Sequence, residues 1–164
     1  MKPAAVLIGP PAAGKTRLGK RIARLLDLPF IDTDARIAEV HGPIPRIFAE
    51  HGEAQFREWE REEVQRSLSE PGIVSLGGGA IENPETRAEL AHHVVVLITV
   101  SPEAVEDRLD NDNRPLLNGL ESWKTLVARR QPIYDELATM TIDTSVGPMD
   151  QHAERLAEMV RAVQ

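Results

Sequence analysis

Residues 9–16 constrain the fold of this chain more than any other stretch of its sequence. They read Gly-Pro-Pro-Ala-Ala-Gly-Lys-Thr and match the pattern G-x-x-x-x-G-K-[ST]. A short apolar run at 4–8 precedes them, and apolar residues recur after them at helical spacing. A loop between a strand and a helix can turn its backbone N–H groups inward and bind phosphate. The segment therefore predicts a nucleotide phosphate site, with Lys15 on the β- and γ-phosphates and Thr16 on Mg²⁺.

Strand and helix patterns alternate along the whole chain. Four more short apolar runs are typical of buried strands: 29–31, 72–76, 93–100 and 140–143. After the helix that follows the loop, helical patterns begin near Ala35 and cover four further stretches: 55–68, 102–109, 120–138 and 149–163. This alternation predicts an α/β fold with helices on both faces of a parallel sheet. Such sheets bind ligands at the carboxyl ends of their strands, so functional residues are expected there.

Composition narrows the classes of protein that fit. The 164 residues suit one domain, expected to span 1–164, and a hydrophobic fraction of 41% is enough for a core. A net charge of −7 argues against nucleic-acid binding, which needs a basic surface. The absence of cysteine excludes disulfides and thiolate metal sites and fits a reducing compartment. The run 4–8 is too short for a signal peptide or membrane span, so we expect a cytoplasmic protein and, without coiled-coil heptads, a monomer.

Two carboxylates flank a threonine directly after the second predicted strand, at Asp32, Thr33 and Asp34. A helix N-cap accounts for one such residue, because its side-chain oxygen accepts from the first helical N–H groups. Capping does not require the second carboxylate. Beside a Mg·phosphate site, Asp32 could hold a metal-bound water while Asp34 faces an acceptor hydroxyl. The segment alone leaves both explanations open.

Three consecutive glycines, residues 77–79, follow the third predicted strand. Glycine costs backbone entropy, so a run of three is expected where the chain bends sharply or a ligand comes very close. A tight turn rarely needs all three. The location at the end of a strand favours close approach of a ligand.

Arginines in two helical stretches are candidates for binding a carboxylate. Arg57 and Glu60 are three residues apart and share one helix face. This spacing fits an exposed ion pair, or a glutamate that orients Arg57 into a cleft. Arg129 and Arg130 lie just before Pro132 in a helical stretch, and Arg130 is the better candidate for a second carboxylate contact.

A polar stretch at about 109–120 separates two predicted helices and has the composition of a mobile lid. It contains Arg114, which could stabilise charge on a transferring phosphoryl group. Taken alone, Arg114 is better explained as a solvated loop arginine.

Together these motifs resemble the shikimate kinase family, small enzymes related to nucleoside monophosphate kinases. The resemblance covers almost the whole chain in order: the phosphate loop, D-T-D at 32–34, F-R-x-x-E at 56–60, G-G-G at 77–79, R-P-L-L at 114–117 and R-x-P-x-Y at 130–134. Many enzymes share the loop, whereas the D-T-D, F-R-x-x-E and G-G-G combination is far more specific. The resemblance implies a three-layer P-loop kinase fold with a five-stranded parallel sheet in order 2-3-1-4-5. It also implies ATP-dependent phosphorylation of the 3-hydroxyl of shikimate, in aromatic amino acid biosynthesis.

The resemblance also implies roles for individual residues. The catalytic set would be Asp34, which would contact the acceptor hydroxyl and is the candidate base, with Lys15 and Arg114 on the phosphates. Thr16 would bind Mg²⁺ directly and Asp32 through water. Arg108 would stack on the adenine of ATP. The full set of residues that would hold ATP is Ala12, Ala13, Gly14, Lys15, Thr16, Arg17, Arg108 and Arg114. Shikimate would be held by a region at about 33–60 and by residues beyond it: Asp34, Arg57, Gly78, Gly79 and Arg130.

Some positions depart from the family's pattern. Ala12 stands where a glycine is common, which is harmless if its backbone keeps φ below zero. The segment 110–113 is acidic where the family is often basic. Residues 145–148 lack the arginine often found near adenine, which leaves the contacts of that loop open.

Two other functions compete with this one. A gluconate-kinase-like enzyme would share the phosphate loop but has no obvious need for two carboxylate-binding arginines and three glycines. A non-catalytic nucleotide-binding domain should have lost Lys15, Thr16 or Asp34, and the chain has all three. We therefore expect the activity of the shikimate kinase family.

Overall fold

The computed structural model describes residues 1–112 and 119–164, and it describes side chains up to residue 108 and from residue 119. Five strands form one sheet: β1 (Ala5–Ile8), β2 (Phe30–Asp32), β3 (Ile73–Ser75), β4 (Val95–Thr99) and β5 (Met140–Asp143). Their order is β2-β3-β1-β4-β5, and all four pairings are parallel. The sheet order that the family resemblance implies is confirmed.

Helices cover both faces of this sheet. In the described part of the chain they are α1 (Lys15–Leu25), α2 (Thr33–His41), α3 (Ile44–Ser67), α4 (Pro84–Leu90), α5 (Pro102–Asp112), α6 (Leu120–Leu137) and α7 (Met149–Ala162), with a 3₁₀ helix at Ala80–Glu82. Successive strand residues point to opposite faces, so Leu7 packs with α1 and α7, whereas Val6 and Ile8 pack with α3 and α4. The three-layer prediction is confirmed.

A third, smaller core lies between α2 and α3. Ile37, Ile47 and Phe56 are buried there, and Trp59 packs against them. The indole of Trp59 stacks on His41, with ring centroids 3.6 Å apart and planes 7° from parallel. This small core supports residues 33–60, the region expected to bind the acceptor.

The helices differ from the prediction in two places before residue 91. Helix α3 begins at Ile44 and not near residue 55, and it is kinked at Gly52, which has φ +85° and ψ 165°. Helix α4 was not expected, although Asn83 caps it by accepting from the N–H groups of Glu85 and Thr86. Both helices have a proline in their first turn, where its missing N–H costs nothing.

Helix α5 continues to Asp112 and does not end near residue 109, so residues 109–112 are helical. The lid at about 109–120 stays a prediction. Residues 113–118, with Arg114, lie outside the described residues. Across residues 1–112 and 119–164, none of the helices combines the length and apolar character needed to cross a membrane.

Candidate active site

The phosphate loop is shaped by backbone conformations that most residues avoid. Gly9 and Gly14 have φ of +150° and +91°, and a Cβ on Gly9 would overlap the carbonyl oxygen of Ile98. Ala12 also has a positive φ, +67°. The condition under which Ala12 would be harmless is therefore not met. The left-handed conformation costs an L-residue about 1–2 kcal/mol, and the loop must compensate for this cost elsewhere.

Three side chains from later in the sequence hold the outer side of the loop. They donate to the successive carbonyl oxygens of residues 11, 12 and 13: Trp123 Nε1 at 2.8 Å, Arg108 Nη1 at 2.6 Å and Thr144 Oγ1 at 2.7 Å. Arg108 also donates to the carbonyl of Thr144. Fixing three consecutive carbonyls from outside stabilises the strained loop. Sequence reasoning missed Trp123 and Thr144, because neither belongs to a local motif.

Lys15 lies on the inner side of the loop. Its Nζ donates to the carbonyl oxygens of Gly9 at 2.7 Å and Pro10 at 3.3 Å. Burial lowers the pKa of Lys15 to about 8, although the charge of Asp34 opposes the shift. The ammonium is thus held by weak carbonyl partners at the place where an anion would stabilise it.

A cleft of about 340 Å³ lies beside the loop. It is lined by nine of the predicted site residues: Ala12, Gly14, Lys15, Thr16, Arg17, Asp32, Asp34, Gly78 and Arg108. Ala13 is fully buried, so only its backbone could serve a ligand. Residues predicted for nucleotide, metal and acceptor therefore share one cleft.

Asp32 and Thr33 tie the second strand to the glycine turn. Asp32 Oδ1 accepts from the N–H of Ala35 at 3.1 Å, so the helix-cap explanation is correct for Asp32. Thr33 is fully buried, and its hydroxyl accepts from the N–H of Gly77 at 3.1 Å and donates to the carbonyl of Ser75 at 3.4 Å. These bonds hold the next residue, Asp34, against the glycine turn.

The carboxylate of Asp34 faces the cleft. Its Oδ1 is buried and makes no hydrogen bond to any of the described residues. Burial raises the pKa of Asp34 above its ordinary value, and the charge of Asp32 raises it further, while Lys15 and Arg57 oppose the shift. A buried, unpaired carboxylate oxygen needs a hydrogen-bond donor, and an acceptor hydroxyl would supply one.

Thr16 and Asp32 have the chemistry for a magnesium site. Both line the cleft, and Thr16 is an exposed residue in the first turn of α1. Mg²⁺ usually keeps several waters and is bound by one or two protein oxygens together with substrate phosphates. No cluster of three or more metal-binding side chains occurs among the described residues, so these two fit a phosphate-bound Mg²⁺ and not a protein cage.

Each glycine of residues 77–79 faces one charged side chain. A Cβ on the first would overlap the Asp34 carboxylate, and one on the second would lie 3.2 Å from Arg130 Nη1. On the third it would lie 2.7 Å from both Nη1 and Nη2 of Arg57. The missing side chains thus allow three charged groups from three different helices to meet around one turn.

Both arginines are paired with glutamates. Arg57 Nη1 donates to Glu60 Oε1 at 2.7 Å, and the Glu60 side chain is only 5% exposed. Arg130 Nη2 donates to Glu82 Oε2 at 3.2 Å. The Arg130 side chain is 8% exposed and that of Arg129 is 63% exposed, so Arg130 is the arginine that faces inward. Sequence reasoning missed Glu82, which lies in no recognised motif.

The acceptor residues do not line a single cleft. Arg57 and Gly79 line a second hollow of about 310 Å³, together with Glu60 and Glu82. Asp34 lines the first cleft. The predicted acceptor residues therefore surround the glycine turn, with hollows on two of its sides.

Known proteins are similar to this chain in sequence and in fold. The family model for shikimate kinase matches residues 11–161. The shikimate kinase of Thermobifida fusca is 45% identical over 166 aligned residues, which cover 98% of this chain and 96% of that protein. This chain belongs to the shikimate kinase family.

Solved structures agree with membership of the shikimate kinase family. The shikimate kinase from Acinetobacter baumannii, in complex with shikimate, superposes with a TM-score of 0.88 at 32% identity. The alignment covers 100% of this chain and 95% of the Acinetobacter baumannii chain. The alignment with a gluconokinase from Sinorhizobium meliloti covers 98% of this chain and 96% of the gluconokinase chain, but the TM-score is 0.60 at 20% identity. The gluconokinase shares the fold alone.

Proposed function

We propose that this protein transfers the γ-phosphoryl group of ATP to the 3-hydroxyl of shikimate. The observation that carries the proposal is the turn at 77–79, where Asp34, Arg57 and Arg130 meet beside the phosphate loop. Shikimate is a polyol with one carboxylate. A carboxylate oxygen lacking a donor suits its hydroxyl, and two guanidinium groups suit its carboxylate.

The nucleotide would occupy the cleft beside the loop. Lys15 would exchange its bonds to loop carbonyls for the β- and γ-phosphates, which would restore its pKa toward the ordinary value. Arg17 and Arg108 also line the cleft and would contact phosphate and adenine. Thr16 and, through water, Asp32 would hold Mg²⁺, which when bound neutralises charge on the transferring group.

The acceptor would lie between Asp34 and the arginines. Asp34 would accept a hydrogen bond from the 3-hydroxyl and take its proton, while Arg57, Arg130 and the backbone of Gly78 and Gly79 hold the rest of the molecule. Phosphoryl transfer depends on positioning and charge stabilisation more than on covalent chemistry by the protein. A site that fixes the acceptor hydroxyl next to the phosphate loop supplies both.

Arg114 would complete the catalytic set by stabilising charge on the transferring phosphoryl group. This role rests on the family resemblance, since the residue lies outside the described part of the chain. We also propose a monomeric, single-domain cytoplasmic enzyme that binds neither nucleic acid nor membranes. The acidic net charge of −7 supports this proposal.

The proposal is tested by coupling ADP release to a spectroscopic assay with Mg·ATP and one of three acceptors: shikimate, gluconate or water. We expect turnover with shikimate to exceed the other two rates by orders of magnitude. Turnover with gluconate alone would replace the proposed acceptor. ATP binding without turnover on any acceptor would favour a non-catalytic nucleotide-binding domain.

A further inference from the structure

Glu82 has no role in the reaction proposed above, yet it lies among the residues that would bind the acceptor. It ends the 3₁₀ helix that follows the glycine turn. Its Oε2 accepts from Arg130 Nη2 at 3.2 Å, and its Oε1 lies 3.3 Å from Arg129 Nη2. Glu82 also lines the hollow that Arg57 lines. An internal carboxylate therefore occupies one of the two guanidinium groups assigned to the carboxylate of the substrate.

The two glutamates that pair with these arginines are held very differently. The Glu60 side chain is 5% exposed, whereas that of Glu82 is 38% exposed. The backbone of Glu82 is fixed: its N–H donates to the carbonyl of Gly79 at 3.1 Å, and its carbonyl accepts from Arg87 Nη1 at 2.9 Å. The Glu82 carboxylate can thus turn into solvent by side-chain rotation, with no change in the main chain.

Glu82 occupies the Nη2 edge of the Arg130 guanidinium. The Arg130 side chain is 8% exposed, its Nη1 faces Gly78, and its Nη2 is bonded to Glu82. Two carboxylates on the same edge of one guanidinium would repel each other. A substrate carboxylate that binds the Nη2 edge of Arg130 must therefore displace Glu82.

We infer that Glu82 is an internal competitor for the carboxylate of the substrate, bound to Arg130 before the acceptor arrives and turned into solvent when it binds. This inference rests on the proposed function. Glu82 would weaken shikimate binding without touching the reacting atoms. It would thereby determine affinity and not the rate of phosphoryl transfer.

The test compares KM and kcat for shikimate, at saturating Mg·ATP, in the wild type and three variants. In Glu82→Gln the competing charge is gone, and in Glu82→Asp the charge remains but the shorter side chain no longer reaches Arg130. Glu85→Gln is the matched control, because Glu85 is a nearby exposed acid that pairs with Arg61 at 3.3 Å. It reports any general effect of removing one negative charge near an anionic substrate.

Both Glu82 variants should lower the KM for shikimate by roughly 3- to 10-fold with kcat nearly unchanged, and Glu85→Gln should leave both constants as they are. A KM that is unchanged or raised in Glu82→Gln would overturn the inference and make Glu82 a positioning residue for Arg130. If Glu82→Gln lowers the KM and Glu82→Asp does not, the inference is also overturned, because the loss of negative charge, and not the loss of the contact with Arg130, would then explain the result. If Glu82→Gln fails to fold, Glu82→Asp decides by the same criterion. Absence of shikimate turnover in the wild type would instead overturn the proposed function, and this inference with it.

Discussion

The two halves of the active site are held in place by different interactions. The phosphate loop is fixed through its main chain, by hydrogen bonds from Trp123, Arg108 and Thr144 to three consecutive carbonyls. The acceptor half is fixed through charged side chains, as in the Arg57–Glu60 pair at 2.7 Å. A main-chain site tolerates most side-chain changes, whereas removing one member of a buried ion pair leaves its partner uncompensated. Substitutions should therefore have graded effects in the loop and abrupt effects around the glycines.

The largest effect should come from Asp34→Asn. The amide keeps the size of the side chain but cannot take the proton of the acceptor hydroxyl, so kcat should fall roughly 10²- to 10⁴-fold. Binding of Mg·ATP should be nearly unchanged, because the loop would remain intact. Steady-state kinetics and nucleotide titration measure the two quantities. Asp135→Asn, an exposed carboxylate on α6, is the control, and unchanged turnover in Asp34→Asn would remove Asp34 from the catalytic residues.

Arg57→Ala should weaken binding of the acceptor and leave binding of ATP nearly intact. Losing one guanidinium and leaving the buried Glu60 unpaired should raise the KM for shikimate roughly 30- to 1,000-fold, with the KM for ATP little changed. Arg66→Ala is the matched control, because Arg66 also lies on α3 and pairs at the same i,i+3 spacing with a buried glutamate, Glu63, at 2.8 Å. An equal loss of ATP and shikimate binding in Arg57→Ala would mean that Arg57 is structural.

The pH dependence of activity should separate the two halves of the site, because the pKa of Lys15 is lowered and the pKa of Asp34 is raised. Burial lowers the pKa of Lys15 to about 8, so its ammonium is lost as the pH rises through that value. The pKa of Asp34 is raised by burial, so its carboxylate becomes protonated at a higher pH than an ordinary aspartate as the pH falls. For the free enzyme, kcat/KM for ATP should decline about tenfold per pH unit on the alkaline side.

Lys15→Arg tests the assignment of the alkaline side. The guanidinium stays protonated throughout, so this decline should disappear even if the maximum rate is lower. An alkaline decline that persists near pH 8 in Lys15→Arg would exclude Lys15 as its origin.

The smallest effect should come from Ala12→Gly, in the backbone-held loop. Relief of the left-handed conformation, worth about 1–2 kcal/mol, exceeds the roughly 0.5–1 kcal/mol that glycine adds in unfolded-state entropy. The free energy of unfolding should rise by about 0.5–1 kcal/mol, measured by denaturant titration. Ala13→Gly, at a fully buried neighbour whose φ is not positive, should instead lower stability. A less stable Ala12→Gly variant would show that the methyl group contributes packing that outweighs the strain.

Local patterns explain why some of this molecule could be predicted from sequence. The phosphate loop and the residues at 32–34 carry their signal within a few positions, and the strands are short apolar runs. Helix α4 also had a local signal, since Asn83 caps it and Pro84 begins it, yet a proline reads as a loop unless the cap is recognised. The sheet order came only from the family resemblance, because strand pairing is not encoded locally.

Long-range contacts account for what could not be predicted. Trp123 donates to the loop from 112 residues away, and Glu82 reaches Arg130 across 48 residues. Neither residue has a distinguishing neighbourhood in the sequence. The same holds for the pairing of each glycine at 77–79 with its own charged partner, which depends on how α2, α3 and α6 meet.

The chain has two tryptophans: one is bonded to the phosphate loop, and the other lies in the small core that supports residues 33–60. Trp123 is 2% exposed and bonded to the phosphate loop, whereas Trp59 is partly exposed and stacked on His41 in the small core between α2 and α3. Their emission should differ in wavelength, since a buried indole emits further to the blue than a wetter one. Trp59→Phe would leave a fluorophore that senses the nucleotide loop, and Trp123→Phe one that senses the acceptor region. The enzyme thus carries intrinsic optical probes for following the arrival of each substrate separately.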